Sequence, residues 1–144
     1  MPMATDSPLR FDTKIVIVVR DDLATWQKLN MTAFLASAVT AAHPEAVGEP
    51  YHDADGTPYL AMLGQPTVVF TADREDLRLS FERSLTRDVV PAVFTDDLFE
   101  TGTDADNRAA VASVRRDHLS LAGLSFRARK NVADKITKGL TLHA

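Results

Sequence analysis

The chain has 144 residues, with 16 Lys/Arg against 20 Asp/Glu for a net charge of −4, 45% hydrophobic residues and no cysteine. This length and balance suit one soluble globular domain with a core of its own. They exclude disulfides, a thiol nucleophile and a thiolate metal site. No apolar run approaches the ~20 residues that span a bilayer, and Met1 to Arg10 lacks the apolar stretch of a secretory signal. A disordered tail over residues 1–12, a domain over 13–144 and a cytoplasmic setting are therefore expected.

In chain order, Ile15 to Val19 are five uninterrupted β-branched residues, the pattern of a central strand buried on both faces. Asp21 and Asp22 end it. Thr25 is the expected cap of a helix from Trp26 to Ala42 that stops near His43-Pro44. Its residues are apolar nearly all round, which predicts burial on more than one side. Pro44 to Thr57 reads as a loop. Two short strands follow, Pro58–Leu63 and Thr67–Thr71, divided by Gly64-Gln-Pro66.

Asp73 or Thr71 opens a helix over Arg74 to Arg87, with Leu77, Leu79, Phe81 and Leu85 as its apolar positions. Val89–Phe94 reads as a strand. Thr103 to Arg116 reads as a polar helix with acids in its first turn and Arg115-Arg116 in its last, an order that suits the helix dipole. Leu119–Phe126 is the final expected strand, and Asn131–Lys138 the closing helix, capped by Gly139. Strands alternating with helices imply an α/β domain, one sheet with helices on its faces.

Several segments resemble the type II peptidyl-tRNA hydrolases. Lys14-Ile-Val-Ile-Val-Val-Arg-Asp-Asp-Leu23 resembles that family's Lys-apolar-Val-Val-Arg-x-Asp-Leu strand. Asp134-Lys-Ile-Thr-Lys-Gly-Leu-Thr-Leu142 resembles its closing Asp-Lys-Val-Thr-Gly-x-Leu-x-Leu, and Pro91-Ala-Val-Phe-Thr-Asp96 its middle strand. The resemblance implies a single three-layer α/β domain, a mixed sheet of four to five strands flanked by helices, and a homodimer.

The hydrolase's first helix shows Lys-x-Ala-Ala-Gln-x-x-His. With one residue inserted, those positions here are Asn30, Phe34 and Ser37. Asn carries no charge to hold a phosphate or polarise an ester, and Phe cannot hydrogen-bond as Gln does. The family's Gly-Pro-Gly-Pro turn before the last helix is replaced by Phe126-Arg-Ala-Arg-Lys130. The hydrolases place Thr four residues after Asp, and Asp97 with Thr101 keeps that spacing. Aligning by the strand instead selects Asp96 and puts Glu100 at the Thr position. Peptidyl-tRNA hydrolysis by the family's residues is not expected. Asn30, Asp53-Ala-Asp55-Gly56 and Phe94-Thr95 are instead similar to the bacterial branch of this superfamily catalogued as domain-of-unknown-function family 2000, which brings no reaction with it.

The candidate ligand-binding residues are accordingly Asn30, Ser37 and Thr95. An Asn inside an apolar helix needs partners, because an unpaired buried amide costs on the order of 1–3 kcal/mol; it orients a ligand or ties down a nearby loop. Ser37 shares its face. The candidate catalytic residues are Asp96, Asp97 and Thr101, placed just past a strand's carboxyl end, where open α/β sheets hold ligands. A carboxylate there acts as a general base or caps a turn. No cofactor motif is present, and the four His show no metal-ligand spacing, so no metal or cofactor is expected.

The charges are unevenly spread. Residues 1–106 carry 8 Lys/Arg and 18 Asp/Glu, a balance of −10, whereas residues 107–144 carry 8 and 2, a balance of +6. The basic end is either a solvated face paired with the acidic front or a weak RNA-binding surface, for which stacking aromatics other than Phe126 are missing. The leading expectation is a domain that binds a small polar ligand near Asn30, Thr95 and Asp96. A hydrolase of an ester or amide using Asp96 or Asp97 is the alternative.

Overall fold

The computed structural model describes residues 11–144. The expected tail lies outside the described residues over 1–10. Its last residue, Asp12, already belongs to the fold, because its carbonyl accepts the Lys130 N–H at 2.9 Å.

Strand β1 (Thr13–Arg20) sits at the centre, and Ile15 through Arg20 are all buried. Helix α1 (Thr25–Ala42) follows, then the hairpin strands β2 (Tyr51–His52) and β3 (Pro58–Tyr59). After these come β4 (Thr67–Ala72), α2 (Arg74–Thr86), β5 (Ala92–Thr95), α3 (Asp104–Ala112), β6 (Leu121–Arg129), α4 (Lys130–Ile136) and β7 (Thr141–Leu142). The main sheet has the order β5-β6-β1-β4-β7. β4 runs parallel to β1, β6 antiparallel to it, and β5 antiparallel to β6. β1, β4 and β5 therefore share one direction, and their carboxyl ends meet along one edge of the sheet.

The alternation of β1 divides the core. Val16 and Val18 face Leu77 and Phe81 of α2 and Ala133 and Ile136 of α4. Ile17 and Val19 face Met31 and Leu35 of α1 together with Phe94. The result is a mixed α/β sheet with helices on both faces, as the alternating pattern implies.

Several boundaries differ from expectation. Thr25 is the first residue of α1 and not its cap; Ala24 stands at the cap, and its N–H is satisfied by Gln27 Oε1 at 2.9 Å. Only Met31, Leu35 and Val39 of α1 are buried, while Leu29 and Phe34 stay 69% and 54% exposed, so the helix packs on one side alone. The strand expected over Pro58–Leu63 shrinks to Pro58–Tyr59 in a separate hairpin, because residues 51–60 are all exposed and have no core face to bury.

β5 starts at Ala92, after Pro91, which has no N–H for a ladder, and Val90, which is 91% exposed. The polar helix stops at Ala112, four residues short of Arg116. It buries no residue, so nothing anchors a further turn. β6 runs through Arg129, and the segment Phe126 to Lys130, read as a replaced turn, is strand passing directly into α4. Gly139 takes φ +91°, the left-handed region that suits glycine after a helix.

Candidate functional site

Arg20 is the last residue of β1 and lies 5% exposed at the carboxyl edge of the sheet. A buried guanidinium must have partners, and this one is almost fully supplied. Nε donates to Asp22 Oδ1 at 2.6 Å. Nη1 donates to Asp96 Oδ2 at 3.1 Å and to the Leu121 carbonyl at 2.7 Å, and Nη2 donates to Asp96 Oδ1 at 2.8 Å. These bonds use four of the five N–H donors of an arginine. One Nη2 hydrogen is left.

Asp96 follows β5 directly and is held from the other side as well. Its N–H donates to the Ser120 carbonyl at 2.9 Å, and the Ser120 hydroxyl makes a short hydrogen bond to Oδ2. Arg74, at the start of α2, donates to Ser120 Oγ at 3.2 Å and stands 3.8 Å from Asp96 Oδ2. Thus the ends of β1 and β5, the start of α2 and the approach to β6 converge on one carboxylate. Burial works against its charge, but the Arg20 and Ser120 hydrogen bonds outweigh it and hold the Asp96 carboxyl below the ordinary aspartate value. For Arg20, burial would lower the pKa, and the bonds to Asp96 and Asp22 raise it instead.

A cleft of about 410 Å³ opens beside this pair, lined by Arg20, Asp22, Trp26, Gln27, Asp96 and Glu100, with Leu23 and Phe99 behind them. Trp26, 61% exposed, meets Phe99 edge-on at 5.8 Å, and Phe99 packs on Phe94 at 4.8 Å. The oxygen of the Gln27 amide accepts from Ala24, which leaves its NH₂ group for another acceptor. The cleft thus offers amide and guanidinium donors, the carboxylates of Asp22 and Glu100, and one open aromatic wall. Among the described residues, no three His, Asp or Glu side chains gather as a metal would require.

Of the residues singled out from the sequence, Asp96 lines the cleft. Asn30 occupies the α1 turn between Trp26 and Phe34. It is exposed, not enclosed as an Asn among apolar neighbours suggests, and makes no side-chain hydrogen bond to described residues. Ser37 is exposed and donates to the Phe34 carbonyl at 2.6 Å. Thr95 is 2% exposed with its hydroxyl unpaired among the described residues, and it does not line the cleft. Asp97 points to solvent, and its carbonyl accepts the Glu100 N–H at 3.0 Å. The Thr101 hydroxyl sits between the Leu98 carbonyl, at 3.2 Å, and the Asn107 amide oxygen, where it orders the turn into α3. Asp97 and Thr101 are therefore not brought together around a common point.

Sequence reasoning missed Arg20, Ser120, Trp26 and Gln27. The signal for Arg20 was present: a cation directly after five β-branched residues ends a buried strand and must meet a carboxylate.

The sequence model of one family, described as "Protein of unknown function (DUF2000)", matches residues 13–144. A solved structure of a protein of unknown function from Agrobacterium tumefaciens is 46% identical, with a TM-score of 0.91, covering 94% of this chain and 100% of that one. No curated protein matches the chain.

Proposed function

We propose that this chain, which belongs to the DUF2000 family, is a cytoplasmic binding domain of the peptidyl-tRNA hydrolase II-like superfamily that holds a small polar ligand in the cleft of Arg20 and Asp96, with Asn30 one turn of α1 beyond the cleft-lining Trp26. The observation that carries this reading is the buried Arg20, which lines an open cleft, is fixed by two carboxylates and keeps one N–H without a partner among the described residues. A charged group locked at the mouth of a sheet positions a ligand without reorganising for it. The superfamily reading rests on the sequence resemblance of the two end segments, which Lys14 Nζ links by donating to Asp134 Oδ1 at 2.7 Å. Where the hydrolases place Lys and Gln on the first helix, Asn30 and Phe34 stand here.

A hydrolase of an ester or amide is the second reading, favoured by the place of Asp96 at the carboxyl end of β5 beside a hydroxyl and a guanidinium. Against it stands the lowered pKa of that carboxylate, which makes it a weak base, and both of its oxygens are engaged. The binding reading predicts thermal-shift hits among small polar metabolites, with stabilisation diminished by Gln27→Ala and Trp26→Ala. A full screen without a hit, or hits indifferent to both substitutions, would count against it. Release of aminoacyl groups from model esters that disappears in Asp96→Asn would move the assignment to the hydrolase.

A further inference from the structure

A second cleft, of about 380 Å³, lies on the other side of the 3-10 turn Asp96–Phe99, between α1, β5 and α3. Phe34, Leu35, Phe94, Leu98 and Val111 form its walls, with Ala38, Ala92 and Ala112 between them. Three polar side chains reach it, and two of them neutralise each other as the Asp104–Arg108 ion pair. The third, Asn107, gives its oxygen to Thr101, so its NH₂ group is left to donate.

The strand contributes something else. Ala92, Val93 and Phe94 are consecutive, and successive strand side chains point to opposite faces, so three in a row line a cleft only where the open backbone edge forms its wall. β5 is that edge strand, paired on one side with β6. The open edge of an antiparallel strand carries N–H and C=O groups with no ladder partner. At four residues it is too short to seat a long peptide strand.

From these features we infer that the cleft is a binding site for a flat, uncharged, largely apolar small molecule bearing a carbonyl or similar acceptor. The volume falls in the range of small-molecule sites, and apolar walls with a few fixed polar groups are their usual construction. The walls carry no buried charge for a charged ligand, since Asp104 and Arg108 lie 81% and 71% exposed at the rim and offset each other. Phe34, 54% exposed and tilted 45° against Phe94 at 6.1 Å, leaves a ring face open to the occupant. Helix α3 buries no residue and packs mainly on the 3-10 turn beneath it, so it covers the cleft without being anchored in the core.

The probe is 6-propionyl-2-(dimethylamino)naphthalene, a flat neutral fluorophore with one carbonyl whose emission shifts to the blue out of water. The inference predicts saturable binding, one site per chain. Val111→Trp and Ala112→Trp, which fill the cleft from a helix with no buried residue, weaken it about tenfold or more, one order of magnitude in the dissociation constant. Asn107→Leu weakens it by a smaller factor, and Trp26→Ala, in the polar cleft, leaves it unchanged. Absence of saturable binding, or equal binding by both filled variants, overturns the inference. Loss with Trp26→Ala would place the probe in the polar cleft and overturn it too. If sedimentation shows a dimer that Val111→Trp dissociates, a second copy covers the cleft and the small-molecule assignment falls.

Discussion

Arg20 and Asp96 keep their charges at a buried strand end because each supplies what the other lacks, and removal of one leaves the other exposed to the cost of burial. Breaking such a pair from one side costs more than the pair itself contributes. Because Asp96 is one-third exposed, Asp96→Asn is expected to lower stability by about 1–3 kcal/mol at neutral pH in urea unfolding. Asp22→Asn, at a carboxylate 56% exposed, should cost less than about 1 kcal/mol. The Asp96 carboxyl is depressed in the folded state, so its contribution is complete above the unfolded aspartate value near 4 and is lost as pH falls through the folded one. Wild type and Asp96→Asn should therefore converge in stability below about pH 4; a gap that stays constant down to pH 2 would contradict this account. The sequence led elsewhere at this scale. Asn30 looked enclosed because its neighbours are apolar, yet the buried stripe of α1 is Met31, Leu35 and Val39, and the apolar residues around Asn30 lie on the open side. A helix apolar all round gives no phase from which to read its buried face.

At the scale of elements, α1 lies close on the sheet because Gly123 of β6 leaves room for Met31. A Cβ on Gly123 would stand 2.7 Å from Met31 Sδ and 2.8 Å from the Val18 carbonyl oxygen. The methionine can move but the strand carbonyl cannot, so Gly123→Ala should destabilise by about 1–3 kcal/mol through overpacking. A thermal midpoint equal to wild type would show that the helix and strand separate freely. Elements with a strong local signal were legible: the β-branched run of β1, and α2 with Asp73 capping the Asp76 N–H at 2.8 Å. The misread boundaries share a cause. β5, α3 and the hairpin have ends fixed by what they can bury or pair with, and neither hydrophobic period nor turn residues state that.

For the whole molecule, contacts tie the acidic front of the sequence to its basic end. Arg127 donates to Glu45 at 2.8 Å in the sense of the charge asymmetry and to the Gln65 amide oxygen at 3.0 Å, while Lys14 meets Asp134 in the opposite sense. Arg115-Arg116 lie before β6, whereas Arg129 ends it and Lys130 opens α4, so a nine-residue strand separates the two basic pairs along the chain. The mixed α/β fold was readable in outline because strand and helix patterns alternate. The site was only partly so, because Arg20, Ser120 and Trp26 come from distant segments that the topology brings to one edge. Trp26 is the one tryptophan in the chain, so its indole N–H gives a unique signal in a ¹H–¹⁵N spectrum. Titration with the small polar metabolites that stabilise the protein should shift that signal together with the Asp22, Gln27, Asp96 and Glu100 amides. Shifts confined to other parts of the chain, with the indole signal unmoved, would contradict the claim that the Arg20 cleft is the binding site.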